Sequence, residues 1–197
     1  MSDTAERLLD VAQALVQQRG FNAFSFRDLS RDLGITNAAI HYHYPTKASL
    51  GKALVSRYTR NFQAALVAID QQEASAQERL AEFVKIYSSA LRSGRFCLCG
   101  MLASDAITLP EDVLSEVRIF FSATEAWLAG VLEMGRASNT LHFELPATEE
   151  AQLVLATVEG AMLTAWPLRA ADAIGAINQF EKIAGRMINT LGVQPAT

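Results

Sequence analysis

The stretch GITNAAIHYHYPTK, Gly34 to Lys47, decides how the chain is read. Glycine takes the left-handed backbone conformation without a steric penalty, so Gly34 can end one helix and turn the chain sharply. Ile35 is the apolar plug of that turn. Thr36 is a favoured N-cap for a helix starting at Asn37. Pro45 disfavours helix at Tyr44 and so ends this element near His43. Ile40 and Tyr44, four apart, share a face and point inward. Beside them the small Ala38 and Ala39 sit next to a cluster of polar-tipped rings, His41, Tyr42 and His43.

Working outward, every long segment has helical periodicity and none alternates as a strand does. Upstream, Ser25 and Asp28 form a capping box for a short helix with Leu29 and Leu33 inward, ending at Gly34. Before it, a helix opening at Asp3 carries Leu8, Leu9, Ala12, Leu15 and Val16 on one face and stops at Gly20. Downstream, Thr46 caps a long helix from Lys47 towards Gln72. Ser75 and Glu78 box the next, which runs towards Ser93. Further helices are expected over Phe96–Thr108, from Pro110 to Arg136, from Thr148 to Trp166, and from Asp172 to Leu191. ASNTLHFELPAT is a loop, and the tail VQPAT is expected to fray. The fold class is all-α with about nine helices. The expected division is a head over 1–46, a connecting helix over 47–72 and a helical body over 73–197.

Half of the 197 residues are apolar and 19% are charged, a globular profile that excludes a disordered or fibrous chain. Two cysteines rule out a disulfide framework, so a reducing, cytoplasmic setting is expected. The N-terminus is acidic and lacks a basic segment followed by an apolar one, so no signal peptide is expected. The apolar run Ala151–Leu168 is interrupted by Gln152 and Glu159, which suits a buried helix better than a membrane span. Net charge is −4, but unevenly placed. Residues 1–60 hold 8 Lys/Arg against 5 Asp/Glu, and the remainder 9 against 16. A net +3 head on a −7 body suits a head that faces phosphates.

Two short helices joined by a tight glycine turn have the spacing of a helix-turn-helix, though an ordinary helical hairpin shares it. The residue types favour DNA. Thr36 and Asn37 stand where free N–H groups attract a phosphate. Ala38 and Ala39 let a helix sink into a major groove and can touch a thymine methyl. Lys47 is placed to grip a phosphate as a point charge. Metal binding by His41 and His43 fits poorly, because positions i and i+2 of a helix point apart and no cysteine or carboxylate completes a set. No metal and no cofactor are expected.

AERLLDVAQALVQQRGFNA followed by FSFRDLSRDLGITNAAIHYHYPTKASL resembles the N-terminal domain of the TetR family of transcriptional regulators. The resemblance covers about residues 5–55. It rests on the G-F-x-x-F-S entry, the G-I-T turn, the aromatic and histidine cluster, and the P-T-K-x-x-L exit. His41 departs from the tyrosine usual in the family. The resemblance implies that Thr36, Ala38 and His41 lie nearest base edges, that Tyr42, His43 and Lys47 contact phosphates, and that Ser25 and Arg27 brace the DNA backbone from the preceding helix. It also implies a homodimer on a pseudo-palindromic double-stranded operator and a ligand chamber among the fifth to eighth helices.

In the body, Phe83, Tyr87, Phe96, Met101, Phe121, Trp127 and Trp166 are candidates for that chamber wall, with Glu125 as a polar group to orient a ligand. A plain core explains most of them equally well. Cys97 and Cys99 are flanked by Arg92 and Arg95 at an expected helix start, where a thiol pKa falls. They can sense an oxidant or electrophile, or simply pack as small apolar groups. The last two helices are apolar nearly all round. Leu155, Gly160, Ala161, Ile177, Phe180, Ala184, Met187 and Ile188 are expected at a two-fold four-helix interface, the alternative being that these helices cap the chain's own core. No phosphate loop or nucleophile motif is present, so no enzyme is expected. The function expected is a DNA-binding regulator, a repressor released by a small hydrophobic or electrophilic inducer, with no membrane partner. The alternative is a helical ligand-binding protein without operator activity.

Overall fold

The computed structural model describes residues 3–72 and 74–192. Among them are nine α-helices and no strand: α1 Asp3–Arg19, α2 Phe26–Leu33, α3 Asn37–His43, α4 Lys47–Asp70, α5 Ala76–Arg92, α6 Leu98–Ser104, α7 Glu111–Ala137, α8 Ala147–Ala165 and α9 Ala173–Gly192. Short 3₁₀ turns follow α6 at Ala106–Thr108 and α8 at Trp166–Ala170. The tail VQPAT lies outside the described residues. No helix among the described residues is long and apolar enough to cross a membrane.

The chain forms two compact units. Among the described residues, one takes 3–61 together with Arg95–Phe121, and the other takes Phe62–Gly94 and 122–192. This differs from the linear division expected, because α6 and the first half of α7 go with the head. Long-range polar contacts explain it. Gln17 Nε2 donates to Phe96 O at 2.7 Å while Phe96 N donates back to Gln17 O at 3.3 Å. Asp105 accepts from Phe21 N at 3.1 Å, and Asn22 Nδ2 donates to Thr108 Oγ1 at 2.7 Å. The single helix expected over Phe96–Thr108 is therefore shorter. Cys97 caps its start, and at Asp105 the carboxylate is turned to α1's exit.

In this first unit, the inward face of α1 is the expected one, with Leu8, Leu9, Ala12 and Val16 fully buried. Arg57 on α4 reaches across to α1. It donates to Glu6 Oε2 at 3.0 Å, Asp10 Oδ1 at 2.8 Å and Gln13 Oε1 at 3.2 Å. Gly51 on α4 is required by packing. A Cβ there would fall 2.8 Å from the Phe21 ring and 2.9 Å from Val113 Cγ2.

In the second unit, α8, α9 and α5 pack together. The helix α5 starts as expected, with Glu78 accepting from Ser75 N and Oγ, both at 2.8 Å. Those bonds hold the Glu78 carboxyl below its usual range. The helix α8 begins one residue earlier than Thr148 suggested, with Pro146 at the cap position and Ala147 next. Asp172 caps α9 as expected, accepting from Gly175 N at 2.8 Å.

Candidate nucleic-acid interface

Ser25 holds the start of α2 in an extended conformation, φ −130° and ψ 168°. Its N–H and Oγ–H both donate to Asp28 Oδ2, at 2.8 and 2.7 Å, and hold that carboxyl below its usual range. The hydroxyl hydrogen expected to brace DNA is thus already engaged. Gly34 has φ +66°, and the N–H of Ile35 donates to Ser30 O at 3.2 Å, the left-handed helix end that the turn requires. Ser30 Oγ closes the turn on Ile35 O at 2.5 Å, and Ile35 is half-buried rather than a full plug. Space around Gly34 is open, so a side chain there meets conformational strain alone. Gly34→Ala is expected to destabilise the fold by about 1–2 kcal/mol, read by denaturant melts, with the turn geometry retained.

Thr36 caps α3 with Oγ1 accepting from Ala39 N at 3.2 Å. Ile40 is fully buried and Tyr44 is 7% exposed, its hydroxyl donating to Ala5 O at 3.4 Å. These two anchors hold α3 from beneath. Thr36, Asn37, Ala38, His41 and Tyr42 are all exposed, and Ala39 and His43 partly so. Tyr42 is 84% exposed, and its ring meets His43 edge-on at 5.1 Å. Arg27 on α2 is exposed as well.

Lys47 is the correction in this set. Its Nζ donates to Phe24 O at 2.5 Å and lies 4.7 and 4.3 Å from the Phe21 and Phe24 ring centroids. Burial pushes its pKa down, and the charges of Asp105 and Asp28 partly offset this. Lys47 ties the start of α4 to the turn before α2 and does not stand as a free point charge.

The ring and thiol candidates separate by unit. In the second unit Phe83 stands 5.2 Å from Tyr87 and 5.8 Å from Trp127, with Phe62 6.3 and 6.0 Å from Phe83 and Tyr87. Phe62 escaped the sequence reading because nothing local distinguishes it from ordinary core. Trp127 Nε1 donates to Asp70 Oδ2 at 2.9 Å. Glu125 and Trp166 are half-buried, and Trp166 carries the Arg169 guanidinium 5.3 Å from its centroid. Phe96, Met101 and Phe121 belong to the first unit, where Phe96 is buried and Phe121 meets Phe120 at 5.4 Å. Cys97 and Cys99 are not joined in a disulfide, and both are buried. Cys97 Sγ accepts from Gly100 N at 3.4 Å and from Tyr58 Oη at 3.9 Å.

Four of the eight residues expected at an interface on α8 and α9 need correction. Leu155, Ala161, Phe180 and Ala184 are 4, 3, 0 and 0% exposed, so they already pack inside this chain. Gly160, Ile177, Met187 and Ile188 are half-buried. The outward apolar face instead holds Leu153, Leu163 and Ile174, which are 51, 58 and 72% exposed. Gly160 and Gly185 have open space where a Cβ would stand.

Residues 8–54 match the family model described as bacterial regulatory proteins, tetR family. The HTH-type transcriptional repressor NemR of Escherichia coli K12 is 26% identical over 167 residues, spanning 83% of this chain and 84% of that protein. A TetR-family transcriptional regulator from Agrobacterium tumefaciens superposes with a TM-score of 0.89 at 34% identity, over 96% of this chain and 97% of the other. A TetR transcriptional regulator from Legionella pneumophila does so with 0.85 at 32%, over 97% and 98%. Proteins of this kind are transcription factors and not enzymes. With its glycine turn, its outward-facing third helix and full-length similarity to such regulators, the chain belongs to the TetR family of transcriptional regulators.

Proposed function

We propose that the chain is a cytoplasmic repressor that binds a pseudo-palindromic operator as a homodimer, and that a small hydrophobic or electrophilic inducer releases it. The observation that carries this reading is the outward face of α3, where Thr36, Asn37, Ala38, His41 and Tyr42 are exposed over the buried pair Ile40 and Tyr44. Thr36, Ala38 and His41 face base edges, with Asn37 and Ala39 beside them. Tyr42 and His43 take phosphates, and Arg27 supports them from α2. Ser25 and Lys47 join these contacts only by exchanging Asp28 and Phe24 O for a phosphate. Dimerisation uses the exposed face of α8 and α9, and the two-fold symmetry of such a dimer matches the two half-sites of a pseudo-palindrome.

For the inducer, the cluster of Phe62, Phe83, Tyr87 and Trp127 supports an apolar ligand. Gln63, next to Phe62, buries its Nε2 with no hydrogen-bond partner among the described residues. For an electrophile the candidate is Cys97, whose Sγ accepts from the Gly100 N–H and the Tyr58 hydroxyl and which, at 1% exposed, has to be uncovered before it reacts.

Footprinting on DNA flanking the chain's own gene is expected to protect two inverted half-sites. No protection, or a single half-site, overturns the operator reading. Adding N-ethylmaleimide is expected to release DNA from the parent and not from Cys97→Ser. Retained DNA in the parent removes the thiol route and leaves the non-covalent one.

A further inference from the structure

We infer that DNA binding is coupled to proton uptake at His41, so that this ring meets DNA as an imidazolium. The inference rests on the proposed role of α3 and begins from one hydrogen bond. His41 Nδ1 lies 3.1 Å from the carbonyl oxygen of Pro45. A carbonyl oxygen only accepts, so Nδ1 carries the hydrogen, and in the neutral ring Nε2 is a bare acceptor. The Phe26 ring of α2 packs against the imidazole with centroids 4.9 Å apart and planes at 64°. The ring is thus held from two sides, and turning it to exchange its nitrogens breaks the bond to Pro45.

A bare acceptor has the wrong polarity for most of what a groove wall presents. Phosphate oxygens accept only, and so do guanine O6 and N7. In this tautomer the neutral ring meets them lone pair to lone pair. Protonating Nε2 makes it a donor, adds a positive charge and leaves the Pro45 bond intact. The tyrosine usual at this position donates its hydroxyl throughout the physiological range. Histidine therefore adds a condition on binding that tyrosine lacks.

The charged groups on neighbouring elements do not already serve this ring. On α2, Arg31 pairs with Asp28 and Asp32, each at 3.2 Å, and Arg27 is exposed. At the start of α4, Lys47 is bonded to Phe24 O. On α3 itself the titratable neighbours are Tyr42 and His43, whose rings meet each other. Among the described residues none of these makes an ion pair or hydrogen bond with the His41 ring.

The test is a fluorescence anisotropy titration of a labelled duplex carrying the footprinted sequence, from pH 6 to pH 8 at fixed ionic strength. The affinity of the parent is expected to fall as pH rises, by up to about tenfold per pH unit per subunit. His41→Tyr is expected to lose the part of the slope that His41 contributes, and His142→Gln, outside the proposed DNA contacts, to keep the parent's slope. Calorimetry in two buffers of different ionisation heat is expected to read an uptake approaching one proton per subunit. A slope shared by mixed-sequence DNA assigns the contact to phosphate, and a slope confined to the operator assigns it to a guanine edge. A flat parent profile, or a slope that His41→Tyr leaves unchanged, overturns the proton linkage while leaving α3 as the DNA-binding element. A parent that binds no DNA at any pH overturns both.

Discussion

Ala161→Arg is expected to unfold the subunit, whereas Leu163→Arg is expected to leave it folded and break the dimer. The two residues are neighbours on the same helix, but their surroundings differ. Ala161 is 3% exposed within a single chain, so an arginine there drives a charge into packed apolar surroundings. An uncompensated buried charge costs several kcal/mol, a large part of the roughly 5–15 kcal/mol that holds a domain together. Leu163 is 58% exposed, and a surface change of this kind alters subunit stability by about 0.5 kcal/mol or less. In a two-fold interface every residue occurs twice. Two buried guanidinium groups at about 3 kcal/mol each would weaken association roughly 10⁴-fold. Sedimentation gives the oligomeric state, and circular-dichroism melts at two concentrations separate subunit unfolding from dissociation. A dimeric Leu163→Arg places the interface elsewhere, and a folded Ala161→Arg refutes the assignment of Ala161 to the subunit's own core.

That pair also marks where reading the sequence stops. The head is legible because its chemistry is local. Gly34 must adopt positive φ, Thr36 must cap and Pro45 must end a helix, and each acts within four residues. The helix α8 is apolar nearly all round, so periodicity cannot say which of its apolar residues meets its own chain and which is left outside. Leu155 and Leu153 are chemically alike, and only packing makes one 4% and the other 51% exposed. Lys47 shows the same limit for a charge. Its partner, Phe24 O, lies 23 residues upstream and carries no side-chain mark in the sequence. The bonds between Gln17 and Phe96 span 79 positions, so the allegiance of α6 to the head had no local trace. His41 is intermediate. Its exposure follows from the facing of Ile40, but the nitrogen that holds its hydrogen depends on the carbonyl of Pro45.

Ala38→Glu separates folding from DNA binding by sign. Ala38 is the second residue of α3 and is exposed, so a glutamate there displaces nothing in the core. A carboxylate in the first turn of a helix interacts favourably with the helix dipole, by about 0.3–1 kcal/mol. The melting temperature is therefore expected to hold or rise slightly. In the proposed complex the same carboxylate faces the acceptor-lined groove at the point where α3 enters it. Like-charge juxtaposition costs several kcal/mol, and a dimer meets that cost in both half-sites. At about 3 kcal/mol for each half-site, operator affinity is expected to fall roughly 10⁴-fold. Ala38→Lys is the complement. Its two added cations per dimer should raise affinity for mixed-sequence DNA and steepen the slope of log K against log salt by about 1.8 if both reach phosphates. Anisotropy titrations over a salt series read both variants. If Ala38→Glu binds the operator like the parent, or if Ala38→Lys leaves the salt slope unchanged, the N-terminal turn of α3 does not face DNA.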